Sequence, residues 1–234
     1  MNKKIVITGG GGRFGKELKK IKTNYKVFYP SSKSLDITSE KSIKIYLKKK
    51  RPKALIHIAG LSRPMIQHEN NISKSIMLNI IGTANIVKAC SEMKIKLVYI
   101  STGYVYPGKK GNYKETDPLM PWNNYGWSKL GGESSVQMYK NSLILRANIS
   151  QLPFVHKKAF KNVKINFLYH NEAAKIIFKL INKKGIINLG GNSQSIYNFA
   201  KRTNPGVKKI YLKKKTYPRN LVMNLTKLKK ITKI

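Results

Sequence analysis

Seven residues restrict this chain more than any others: Gly9-Gly10-Gly11-Gly12-Arg13-Phe14-Gly15, set directly behind the apolar run Ile5-Val6-Ile7. Residues 4–8 read as a buried strand, and a helix is expected to open near Phe14. Glycines at 9, 12 and 15 let the backbone turn tightly, approach a pyrophosphate closely and pack helix on strand. The amides at the helix start then receive the phosphate charge. The spacing is G-x-x-G-x-x-G, not the commoner G-x-G-x-x-G, and a flexible turn could also be glycine-rich. Its place directly after a strand favours a dinucleotide site over a simple turn.

The rest of the chain repeats that opening. Strands are expected at residues 26–29, 54–59 (ALIHIA), 96–101 (KLVYIS) and 142–146 (SLILR), with helices at 39–49, where Ser39 can cap, at 71–93 and at 123–139. Strands this apolar belong in a parallel sheet covered by helices on both faces. The fold class is therefore α/β, a Rossmann-like doubly wound parallel sheet. After Arg146 the pattern weakens: loop over 151–164, helix over 171–181, strand over Gly185–Leu189, and short elements near Ile210 and Leu225. We expect a Rossmann domain over residues 1–150 and a small, reduced C-terminal substrate lobe over 151–234 that shares elements with it.

A chain of 234 residues that is 41% hydrophobic, with 13 Tyr, 7 Phe and 2 Trp, has the material for such a core. Its charge is lopsided: 47 Lys and Arg face nine Asp and Glu, a formal net charge of +38. Such a surface attracts nucleic acid, anionic lipid and phosphorylated metabolites alike, so it gives the sign of the partner and not its identity. The runs at 48–51, 208–209 and 213–215 read as solvated faces. No nucleic-acid recognition motif accompanies them, so no specific nucleic-acid partner is expected. Cys90 stands alone, which excludes a disulfide framework and a thiolate metal cluster. No segment approaches membrane-spanning length, and a cytoplasmic protein with no membrane partner is expected.

The second strand runs into Phe28-Tyr29-Pro30-Ser31-Ser32-Lys33, with no carboxylate where an NAD site usually places one for the ribose hydroxyls. Arg13, Ser31, Ser32 and Lys33 could meet a 2′-phosphate instead. NADP(H) is the favoured cofactor, with NAD(H) possible.

Tyr125 and Lys129 are four residues apart at the start of a predicted helix, on one face. An ammonium beside a phenol favours the phenolate and readies it to exchange a proton with a carbonyl. Tyr-x-x-x-Lys is common on surface helices, but here Ser101 and Thr102 also fall at the carboxyl end of a central strand, where open α/β sheets bind ligands. Without Tyr125 and Lys129, Thr102 would read as an ordinary strand-end residue.

In order and spacing, TGGGGRFG, SLDIT, IHIAG, LNIIGTANIV, YISTGYVYPG, PWNNYGWSKLGGE and LILR resemble the extended short-chain dehydrogenase/reductase family, and within it the dTDP-4-dehydrorhamnose reductases. The likeness is close over about residues 3–148. It implies a reductase of a nucleotide-linked 4-keto-6-deoxy sugar. Gly9, Gly12, Arg13, Phe14 and Gly15 would hold the cofactor, Asp36 and Ile37 would sit by its adenine with Lys33 near, and Ala59 and Gly60 would line its groove. Thr102 would polarise the keto group, Tyr125 would protonate it, and Lys129 would lower the Tyr125 pKa and hold the nicotinamide ribose. Asn79 matches a family position and equally suits helix packing. The family's aromatic-rich segment after LILR is replaced here by Ala147-Asn148-Ile149-Ser150-Gln151. An epimerase of the same fold and a non-catalytic NADP-binding regulatory subunit are the alternatives, and a homodimer is possible. A dehydratase would want a carboxylate where Gly103 follows Thr102.

Overall fold

A computed structural model describes residues 3–213 and 217–232. Lys214 and Lys215 of the third basic run lie outside the described residues. Five strands, β1 (Lys4–Thr8), β2 (Lys26–Phe28), β3 (Ala54–His57), β4 (Lys96–Thr102) and β5 (Ser142–Ala147), join a sixth, Gly185–Leu189, in one parallel sheet. Its order is sixth-β5-β4-β3-β1-β2. The chain moves outward from β1 to β2, then returns to lay β3 on the other side of β1. That reversal opens a crevice at the carboxyl ends of β1 and β3, as doubly wound sheets do.

Side chains alternate across the strands and feed two cores. Ile5, Ile7, Val98, Leu143 and Leu145 point to one face with Leu18 of the helix α1 (Arg13–Lys19) and with Ala173, Ile177 and Leu180 of the helix His170–Leu180. Val6, Leu55, Leu97, Tyr99 and Ile144 point to the other, against Leu47 of α2 (Glu40–Lys50), Ile86 and Cys90 of Gly82–Glu92, and Val136 of Asn124–Gln137. The β3 and β5 side chains are buried throughout, so these strands can only sit between two helical layers.

Local chemistry sets the helix starts. The Ser39 hydroxyl accepts from the Ser42 amide at 3.2 Å, as expected, and the Asn123 side chain accepts from the Gly126 amide at 2.8 Å. The long helix expected over 71–93 is interrupted: Ile72–Ile76 passes through a π turn, Met77–Ile81, before continuing as Gly82–Glu92. Such turns carry an extra residue and often lie at functional sites. Here Asn79 occupies it.

Beyond residue 150 the segment expected to be loop contains a short strand, Lys158–Phe160, parallel to Lys208–Ile210. Phe154, Ala159, Tyr169, Phe199, Ala200 and Val207 form a separate small core there. Lysines occur on every long helix, and among the described residues only five ion pairs form, four of them exposed at least in part.

Candidate active site

The carboxyl ends of β1, β3, β4 and β5 and the loops that follow them enclose a cavity of about 410 Å³. Gly9, Gly12, Arg13, Phe14 and Gly15, Ala59 and Gly60, and Thr102, Tyr125 and Lys129 all line it. Chain segments more than a hundred residues apart thus converge on one space.

The glycine wall tolerates no other residue at two points. Gly9 has φ +75°, and a Cβ there would lie 2.7 Å from the Ala59 amide nitrogen, so loop and β3 end touch backbone to backbone. A Cβ on Gly15 would lie 2.6 Å from Gly10 Cα. No side chain caps α1 at Gly12, which leaves its first amides available to an anion.

Lys33, Asp36 and Ile37 are not among the cavity walls. Lys33 is exposed in a turn closed by Ser34 and Leu35 amides on the Ser31 carbonyl. The Asp36 carboxylate is spent locally, accepting from the Thr38 amide and hydroxyl at 2.9 and 2.8 Å. Ile37 is buried against the Gly82 turn, where its carbonyl accepts from Asn85. These bonds belong to the turn that leads into α2. Tyr29, at the end of β2, is pinned to α1 by its hydroxyl donating to the Leu18 carbonyl at 3.1 Å.

Ser101 and Thr102, equivalent in sequence, separate in space. The Ser101 hydroxyl donates to Glu133 Oε2 at 2.5 Å, and Glu133 Oε1 receives Arg146 Nε and Nη2 at 3.0 and 2.7 Å. Glu133 is fully buried and Arg146 nearly so, and Arg146 also donates to the Tyr106 hydroxyl at 2.8 Å. Thr102 lines the cavity together with Tyr125, and its hydroxyl accepts from the Tyr104 amide at 3.2 Å. A Cβ on Gly103 would collide with Asn148 Oδ1, so any side chain there would have to displace Asn148.

Lys129 is buried, its Nζ 4.1 Å from the centroid of the Tyr99 ring. Burial pushes its ammonium down to about 7, with the Glu133 charge pulling the other way. Burial likewise pushes Tyr125 up to about 12, opposed by the Thr102 hydrogen bond and the Arg63 charge. The sequence led us to expect the ammonium to hold the phenol down. Burial dominates both shifts, raising the phenol and lowering the ammonium, and Lys129 is not among the charges acting on Tyr125.

Asn79 is a positioning residue. Its Oδ1 accepts from the Leu61 amide at 2.7 Å, and its Nδ2 donates to the Leu61 carbonyl and to Ser128 Oγ, both at 2.9 Å. It thereby ties the loop after β3 to the helix carrying Tyr125 and Lys129. Thr83 donates to the Asn79 carbonyl at 2.8 Å, so His57 Nε2, 3.2 Å from that hydroxyl, must carry the proton, and Nδ1 accepts from Thr8 at 2.7 Å. Burial lowers His57 to about 3, and it stays neutral.

Sequence reasoning missed Arg63, Tyr104, Asn148, Gln151 and His170, all of them in the cavity lining. It also missed His68, whose ring meets Tyr125 edge-on at 5.1 Å. Loop and strand-end residues carry no periodic signal, and only an arginine in an otherwise apolar and small-residue loop could have pointed to Arg63.

The model for the family described as the RmlD substrate binding domain matches residues 3–177. A dTDP-4-dehydrorhamnose reductase of Aggregatibacter actinomycetemcomitans is 31% identical over 150 residues, covering 62% of this chain and 51% of that protein. A methionine adenosyltransferase 2 subunit beta of Xenopus laevis is 28% identical over 158 residues, covering 63% and 47%. The chain therefore spans about half the length of the curated relatives it matches. The crystal structure of the dTDP-4-dehydrorhamnose reductase of Bacillus anthracis, solved with NADP, superposes with a TM-score of 0.87 at 24% identity, covering 98% of this chain and 91% of that one. The match extends over well more than half of the chain, which therefore belongs to the RmlD substrate binding domain family.

Proposed function

We propose that this chain reduces the keto group of a nucleotide-linked 4-keto-6-deoxy sugar with NADPH. The observation that carries this is that Thr102, Tyr125 and Lys129 line the same cavity as the glycine loop. The names of relatives agree: a dTDP-4-dehydrorhamnose reductase in sequence, and one holding NADP in structure.

The residues present fit a dinucleotide. The loop at 9–15 offers backbone amides with no side chain in the way, Arg13 stands at its rim, and no carboxylate ends β2. This favours NADPH over NADH. NADPH, when bound, supplies a hydride to the carbonyl carbon. Thr102 orients the carbonyl oxygen through its hydroxyl, and Tyr125 donates its proton to that oxygen. Lys129, once protonated, steadies the phenolate that remains, and its position on the Tyr125 face suits a hold on the nicotinamide ribose. The absence of room at Gly103 argues against a dehydratase.

Residues 151–234 read as the substrate lobe, with its own small core. We read the exposed stripe of Ile72, Ile76, Met77, Ile81 and Trp127 as a homodimer face. No helix of the described residues is long and apolar enough to cross a membrane. With its single cysteine buried, we assign the chain to the cytoplasm.

The test is loss of NADPH absorbance on adding such a keto sugar. Tyr125→Phe is expected to cut turnover by roughly 10²- to 10⁴-fold while cofactor affinity stays within about twofold. Undiminished turnover would remove Tyr125 as the acid. The relative named methionine adenosyltransferase 2 subunit beta supports a second reading, a non-catalytic subunit. Tight NADPH binding with no turnover on any keto sugar would favour it.

A further inference from the structure

The cavity wall contains Arg13, Arg63, Lys129 and His170, and not one Asp or Glu. A concave site with several cationic groups and no carboxylate selects an anion. Arg13 belongs to the glycine loop, but Arg63 lies in the loop after β3. It lines the same cavity as Tyr104 and Tyr125, and its charge acts on both.

The way Arg63 is held keeps its charge available. Its Nη1 lies 3.2 Å from His156 Nε2. A guanidinium can only donate, so Nε2 accepts and the imidazole is neutral. Among the described residues no ion pair engages Arg63. A neutral acceptor orients the arginine without cancelling its charge, whereas a carboxylate would do both. His156 packs against Phe154 at 5.4 Å between ring centroids.

His170, the first residue of His170–Leu180, packs on Phe14 with ring centroids 5.2 Å apart. Burial and the Arg63 and Arg13 charges push it down to about 4, against the pull of Glu17, and Glu17 is itself bonded to Lys20 at 2.7 Å. Burial and the same two arginines also lower His156. His156 thus holds Arg63 from outside the cavity lining, while His170 lines the cavity as a neutral group able to hydrogen-bond an anion.

We propose that Arg63, seated on His156 and flanked by His170, is an anion subsite of the cavity separate from the glycine loop, taking a phosphate of a nucleoside diphosphate. Assigning that diphosphate to the substrate rests on the reductase reading; the anion subsite itself does not.

The experiment is titration calorimetry on the full chain near physiological salt, with inorganic pyrophosphate, dTDP and NADP⁺ as separate probes. Wild type is compared with Arg63→Gln, Arg63→Lys and Lys158→Gln, the last removing one charge from an exposed position elsewhere. Arg63→Gln is expected to weaken pyrophosphate and dTDP by roughly ten- to a hundredfold, Arg63→Lys by less, and Lys158→Gln by no more than about twofold. Unchanged thermal midpoints show that the variants fold. Equal effects of Arg63→Gln and Lys158→Gln on all three probes would overturn the subsite, and a loss confined to NADP⁺ would overturn its assignment to a nucleoside diphosphate. Pyrophosphate binding through Arg63 without turnover of any keto sugar would keep the subsite and refute the reduction. Turnover indifferent to Arg63, with pyrophosphate binding equally indifferent, would do the opposite.

Discussion

Replacing Lys129 with Met should stabilise the protein, and by an amount that depends on pH. In the unfolded chain this lysine titrates near 10.5, and in the folded chain at about 7, because burial disfavours the ammonium. Between those values the unfolded state holds the extra proton, so the wild-type stability rises with pH. A tenfold change in proton affinity is worth about 1.4 kcal/mol, so the lysine costs about 5 kcal/mol at pH 6 and about 2 kcal/mol at pH 9. Methionine has similar length, carries no charge, and places a thioether against the Tyr99 ring. Urea unfolding of the ligand-free wild type and Lys129→Met across pH 6–9 isolates the effect, since titrations common to both proteins cancel in the difference. The expected difference favours Met at low pH and shrinks by about 3 kcal/mol over that range. A difference that stays constant, or that favours Lys at pH 6, would refute a strongly lowered Lys129. Turnover should vanish in the same variant, so stability and activity move in opposite directions.

Three further outcomes are expected. Calorimetry should find NADPH bound more tightly than NADH, since β2 ends without a carboxylate and Arg13 is at the rim; equal affinities would mean that no residue of the site meets the 2′-phosphate. Glu133→Ala should lose about 3–5 kcal/mol in denaturant unfolding, because it strands the buried Arg146 guanidinium; a loss under about 1 kcal/mol would mean that water reaches Arg146. In filter binding near physiological salt, nucleic acid should bind weakly and without sequence preference, its affinity falling steeply with added salt, because the lysines are spread over every long helix; submicromolar selective binding would contradict that.

The parts of the molecule written in local chemistry were readable in advance. Apolar runs at Ile5-Val6-Ile7 and Leu143-Ile144-Leu145 announce buried parallel strands because both faces of each are covered. The glycine loop, the Ser39 cap and the Tyr125 and Lys129 spacing are likewise properties of a few neighbouring residues. What could not be read depends on residues that meet only after folding. Glu133 and Arg146 look like ordinary solvated charges in the sequence, yet they form a buried pair that holds Ser101 away from Tyr125. The lowered Lys129 follows from burial, which no spacing reveals. Lys33, expected to meet a 2′-phosphate, and Asp36 and Ile37, placed by the adenine through the resemblance, lie on the turn before α2 and outside the lining of the cavity that holds the glycine loop. Arg63 and His156 are 93 positions apart and share no pattern.

The sixth strand has a consequence for how this protein comes into being. Gly185–Leu189 is laid along β5 in parallel register from Leu143 to Ala147, and Leu228, near the carboxyl terminus, closes the same core. Until residue 189 has left the ribosome, β5 presents its row of amides and carbonyls to whatever strand is nearby. A fragment cut at residue 150 would keep the glycine loop, Thr102, Tyr125 and Lys129, yet it would be born with an adhesive flank. The glycine loop, Thr102, Tyr125 and Lys129 therefore precede in the chain the strand that covers the flank of their sheet.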